Sequence, residues 1–223
     1  MTVPETLYDS RRHCYYEKPV LRGWLHLTLF QVSLIVGTLV VTAVHGAARL
    51  TAAAIYAATV STLFGTSALY HRGRWGPRAS RLMQRLDHTM IFFVIAGTAT
   101  PAFIISLPGT PGLVGVSILW AVTLVAATTH LCWMDAPETL VGGTFIALGC
   151  AAGAALPAVW IHSGMSAGAL MLAGGVLYII GSVLYHARWP DPVPSVFGFH
   201  EVFHAFVGAA AVLQYVAIAI FVL

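Results

Sequence analysis

Two histidines, His200 and His204, stand four residues apart in the stretch Phe199 to Ala205, F-H-E-V-F-H-A. On a helix that spacing stacks both imidazoles on one face, a turn apart, which is what a divalent metal needs from two ligands on a single helix. Two ligands do not close a site. Further donors stand in Ser67-Ala-Leu-Tyr-His71 and in Leu86-Asp87-His88. Three neutral imidazoles and a water form a tetrahedral zinc site with one position open, the arrangement that makes water acidic near neutral pH. Beside such a site Asp87 is the carboxylate that holds the water or takes its proton. Ser67, one turn from His71 on the same face, is placed to hold that carboxylate or the water.

The elements that must position these residues are membrane helices. A chain of 223 residues that is 58% hydrophobic and 9% charged, with a mean hydropathy of +0.83, lies far from the soluble norm of about 25% charged residues. Seven apolar runs follow a polar tail (1–23): 24–44, 50–71, 86–107, 112–133, 140–160, 167–186 and 199–223. Each reaches the roughly 20 residues that cross a hydrocarbon core as a helix. None alternates as the strands of a membrane barrel do. The expected fold is therefore all-α, a polytopic bundle of seven transmembrane helices in one domain (24–223). The polar start and the full-length first run argue against a cleaved signal peptide. Cys14, Cys132 and Cys150 are too few and too scattered for a disulfide framework or a thiolate metal site.

Orientation follows from the cations. With the N-terminus inside, ten of the eleven Lys and Arg residues fall on inner segments and only Arg49 lies outside. The N-terminus is expected inside and the C-terminus outside, in the plasma membrane. Their placement leaves no basic surface for nucleic acid; membrane lipids are the expected partners. Span two then ends inside at His71, span three starts inside near Asp87, and span seven starts inside at His200. Residues far apart in the chain thus share one depth, with His204 about 6 Å deeper than His200 by helical rise.

At these residues the sequence resembles the hemolysin III branch of the progestin and adipoQ receptor (PAQR) family, seven-span proteins related to the adiponectin receptors and similar to alkaline ceramidases. The matching stretches are Lys18-Pro-Val-Leu-Arg-Gly23, Ser67-Ala-Leu-Tyr-His71-Arg72, Arg85-Leu-Asp-His88, Ile95-Ala-Gly-Thr98 with Thr100-Pro101, and His200-Glu-Val-Phe-His204. The resemblance implies that His71, His200 and His204 are zinc ligands, with Asp87 and Ser67 around the bound water. It implies a zinc-dependent hydrolase of lipid amide or ester bonds, ceramidase-like, acting in membrane lipid homeostasis. Two other readings go with it: a receptor-like regulator of membrane state with structural zinc, and a pore-forming cytolysin. No charged ring crosses the bilayer midplane, which argues against a conductive pore. A haem held by two histidines needs facing residues on different helices, which His200 and His204 do not offer.

Several residues invite a bland and a sharp reading together. His200-Glu201-x-x-His204 fits HExxH, where Glu is a general base. Yet Glu201 is turned about 100° from the histidine face, and a solvated carboxylate near the positive end of the helix is the simpler reading. His186, in an echo of the span-two motif, reads as an interfacial histidine or a fourth ligand. His88 reads as a structural hydrogen-bond former. His13, His26, His45, His130 and His162 show no paired spacing and are given no role. Pro101 should bend span three, and Arg78 to Arg85 should lie as a short basic helix at the interface. Glycines 142, 143, 149, 153, 174, 175 and 181 suit close helix packing within the chain and leave a homo-oligomer open.

Overall fold

The structure, a computed structural model, describes residues 6–9, 14–133 and 136–223. Among the described residues, seven helices are long and apolar enough to cross a membrane. They are α1 (Trp24–Ala43), α2 (Ala47–Arg72), α3 (Pro77–Pro101, running on through a π-turn at Ala102–Ser106), α4 (Thr110–Cys132), a broken fifth span, α7 (Met165–Ala187) and α8 (Phe199–Val216, running on to Val222). The fifth span consists of α5 (Glu138–Ala152), a 3₁₀ turn and α6 (Leu156–Ser163). Pro157 explains that break, since it has no N–H to continue the α ladder. Ahead of the bundle, β1 (Thr6–Asp9) pairs antiparallel with β2 (Cys14–Glu17), so the polar tail holds a small hairpin as well.

Local sequence sets most helix ends. Gly46 and Gly164, at positive φ, precede α2 and α7, and Pro77 occupies the first turn of α3, where a missing N–H costs nothing. No breaker separates Arg78 from Leu86. The basic stretch expected as a separate interfacial helix is instead the first part of α3, and the helix passes straight from it into the bundle. At the other end the α ladder gives way at Pro101 to the π-turn, the local disturbance expected of a proline inside a helix.

In the bundle α1 lies along α2, α2 along α3, and α7 along α8, while α1 also touches α8 and brings the first and last spans together. α3 is the most enclosed of the seven. Its Phe92, Ala96 and Ala99 anchor one buried cluster, and Tyr56, Val60 and Phe64 of α2 meet Val207 and Ala211 of α8 in a second. The outward faces remain apolar, with Ile35, Val125 and Ile161 largely exposed, as a lipid-facing surface requires. Of the glycines expected to allow close packing, Gly174 and Gly181 do so against Gln214 and Phe206 of α8, whereas Gly142, Gly143, Gly149, Gly153 and Gly175 face open space. A closer approach between two long helices lies elsewhere: a Cβ on Gly97 of α3 would stand 2.0 Å from Thr59 Oγ1 of α2.

Candidate metal centre

Two helices deliver the three candidate ligands to one place. His71 occupies the last turn of α2, and His200 and His204 the first two turns of α8. One ring nitrogen from each lies within 4.8 Å of the others. His200 Nε2 and His204 Nε2 are 3.0 Å apart. The rings of His71 and His200 meet edge to face at 4.8 Å between centroids. His71 and His204 are buried and His200 is partly so.

The donor set fits a metal. Tetrahedral zinc with Zn–N bonds of 2.0–2.1 Å sets its ligand nitrogens about 3.3 Å apart, so the His200 and His204 pair is already near that distance and the widest pair must close by about 1.5 Å. His71 Nε2 is buried without a hydrogen-bond partner. Such an atom is costly in an apolar interior, and a cation in the centre removes the cost. Neutral imidazole is a good donor to Zn, Cu, Fe and Ni alike, so the three residues could hold a metal without selecting which one.

Asp87 enters from α3. Its Oδ2 lies 3.7 Å from His71 Nε2, beyond a direct hydrogen bond but beside the cluster. Ser67, 1% exposed, is within hydrogen-bonding reach of Asp87. The carboxylate and hydroxyl therefore stand next to the three imidazoles. Ser67 has a second partner that the sequence did not announce. His26 of α1 places Nδ1 2.8 Å from Ser67 Oγ, and its ring lies flat on that of His204, with centroids 3.8 Å apart and planes 9° apart. A signal existed: His26 is one turn into span one from its inner end, the same depth as His71 and His200, although it has no histidine at i±4.

The other candidates fall outside the cluster. Glu201 is not solvated: it is 3% exposed, pairs with Arg22, and accepts the Gly198 N–H at 2.9 Å in a capping-box contact. Its carboxylate turns away from the histidine face, and the HExxH reading loses its general base. His186 is exposed on α7 and is not among the grouped ligands. The ring of His88 faces His130 of α4 at 6.1 Å.

The fold and this centre define a seven-helix membrane protein with a three-histidine cluster at one end of the bundle. The Haemolysin-III related family matches residues 14–215, and the chain belongs to that family. It is 26% identical over 180 residues to Hemolysin-3 of Bacillus cereus, covering 80% of this chain and 79% of that protein. It is 25% identical over 159 residues to the Hemolysin-3 homolog of Bacillus subtilis (strain 168), covering 70% of this chain and 71% of the other.

Proposed function

We propose that this chain is a zinc-dependent hydrolase of lipid amide or ester bonds, seated in the plasma membrane with its metal centre near the cytosolic leaflet. The observation that carries the reading is the placement of Asp87 and Ser67 beside three convergent imidazoles from α2 and α8. His71, His200 and His204 would hold the ion. Bound there, zinc supplies Lewis acidity, polarising a carbonyl and rendering water acidic enough to react near neutral pH.

The chain's own groups do the rest. Asp87 accepts the proton of the attacking water and returns it to the departing amine or alcohol, so its proton count is unchanged over the turnover. Ser67 fixes the carboxylate in the orientation that makes both transfers short. The apolar outer faces of the helices let a lipid substrate approach from the bilayer, where its chains already reside. The test is purified protein assayed by mass spectrometry against ceramides, acyl amides and phospholipids, with Asp87→Ala as control. Turnover lost in Asp87→Ala with metal retained supports the reading; stoichiometric zinc with no turnover on any of these lipids overturns it.

A second reading rests on the name of the Bacillus cereus relative, Hemolysin-3, which suits a cytolysin. Dye release from liposomes by the pure protein, unchanged in His200→Ala, would favour that reading over hydrolysis.

A further inference from the structure

The hydrolytic reading makes no use of His26, yet the residue is built into the centre from two sides. It is 3% exposed, its ring is parallel to His204 at 3.8 Å, its Nδ1 meets Ser67 Oγ at 2.8 Å, and Phe64 closes on its edge at 5.1 Å. Its Nε2 is buried without a hydrogen-bond partner. Packing alone does not account for an imidazole here, because a leucine or phenylalanine fills such a space without burying an unpaired nitrogen.

We infer that His26 is a positioning residue of the metal centre, holding the His204 ring in plane by stacking while tethering the Ser67 hydroxyl that serves Asp87. Its place in the chain explains how one side chain reaches both. α1 is the helix that lies along α2 and touches α8, so a residue one turn into it faces the Ser67 side of α2 and the His204 side of α8 together. A metal-ligating imidazole must keep its ring plane aligned with the ion, and rotation about its last side-chain bond is the soft motion that spoils the alignment. A second ring lying flat on it blocks that rotation. The Ser67 hydroxyl, left to one partner, could turn to a backbone carbonyl of its own helix, as helical serines do; His26 gives it a reason to stay.

The inference rests on the reading of the three histidines as ligands, and the test separates the two. Zinc affinity by competition, and the visible absorption of the cobalt-loaded protein, are measured for wild type, His26→Phe, His26→Gln and His26→Leu, each checked for folding by its thermal melt. His26→Leu loses ring and tether and should weaken zinc by about 10–100-fold, the range for partners that orient a ligand, with a shifted cobalt spectrum. His26→Phe keeps the flat ring and should bind zinc nearly as wild type while matching Ser67→Ala in lipid turnover. His26→Gln keeps a tether for Ser67 and should show the reverse pattern. The Gln variant, which removes the stacked ring but keeps a polar group, decides the zinc effect if leucine does not fold. Unchanged zinc affinity and cobalt spectrum in both Leu and Gln variants overturn the positioning role alone. Loss of metal in His26→Phe as complete as in His200→Ala also overturns it, making His26 a ligand. Failure of wild type to take up zinc or cobalt overturns the ligand reading and this inference together.

Discussion

Arg22 and Glu201, 179 residues apart in the chain, form a buried ion pair at the start of α8. Their side chains are 6% and 4% exposed, and the segment carrying Arg22 is further clasped by Val20 N–H to the Ser195 carbonyl at 3.0 Å and Leu21 N–H to the Val196 carbonyl at 3.1 Å. The pair closes the bundle between its first and last spans, beside the histidine cluster. Arg22→Ala leaves a carboxylate buried without its cation, a loss of about 3–5 kcal/mol. Thermal unfolding in detergent should show a large fall for Arg22→Ala, partly recovered in Arg22→Ala with Glu201→Gln. Glu201→Gln alone should keep stoichiometric metal, which a general base placed on the metal-bound face would also do; its retention of turnover is what excludes the catalytic role.

The three imidazoles and the carboxylate should separate cleanly. His71→Ala, His200→Ala and His204→Ala each should abolish stoichiometric metal in protein purified without chelators, measured by elemental analysis. His186→Ala should leave it intact, since that side chain is exposed on α7. Asp87→Asn should keep metal, weakened by about 10–100-fold at most, while lowering lipid turnover by about 10²–10⁴. Equal loss of metal in Asp87→Asn and His200→Ala would make the aspartate a ligand.

The convergence of His71, Asp87, His200 and His204 could be read from the sequence because membrane helices constrain depth. Each span needs some 20 apolar residues, so a residue's place within a run fixes its level, and residues at one level at neighbouring helix ends are candidates to meet. Lateral neighbours are not fixed that way. His26 is not legible that way, because its partners, Ser67 and His204, lie on other helices, and only the packing of α1 against both α2 and α8 brings the three together. In sequence Arg22 is one more cation of the inner side and Glu201 reads as a solvated carboxylate. Each reading is reasonable locally and gives way once the two side chains are paired. The basic stretch 78–85 failed for a different reason: its composition suited an interface, but nothing in it could stop a helix that Pro77 had started.

Gly23 couples the clasp to the metal centre. Its φ is +79°, and a Cβ there would stand 2.7 Å from His71 Cβ. The left-handed backbone alone costs an L-residue about 1–2 kcal/mol, and the contact with His71 adds to it. Gly23→Ala should therefore lower thermal stability and weaken zinc at once, the second effect through displacement of His71. Gly46→Ala shares the positive φ but has open space around it, so it should lower stability without altering zinc affinity. If the two variants bind zinc alike, the steric link from Gly23 to His71 is absent.

The side of the membrane that the centre faces can be settled with one cysteine. Cys132 is exposed at the end of α4, and Arg85 Nη1 contacts the carbonyl of neighbouring Leu131 at 3.4 Å. That contact sets the thiol at the same end of the bundle as the arginines of α3. The expected orientation, with ten of eleven cations on the inner side, puts that end in the cytosol. In a variant with Cys14→Ser and Cys150→Ala, an impermeant maleimide should label Cys132 only after the cells are broken. His45 lies in the short connection between α1 and α2 and is exposed; His45→Cys in a background without the three native cysteines should be labelled in intact cells. The opposite pattern would turn the bundle over and place the histidine cluster on the outer side, where its lipid substrates would belong to the other leaflet.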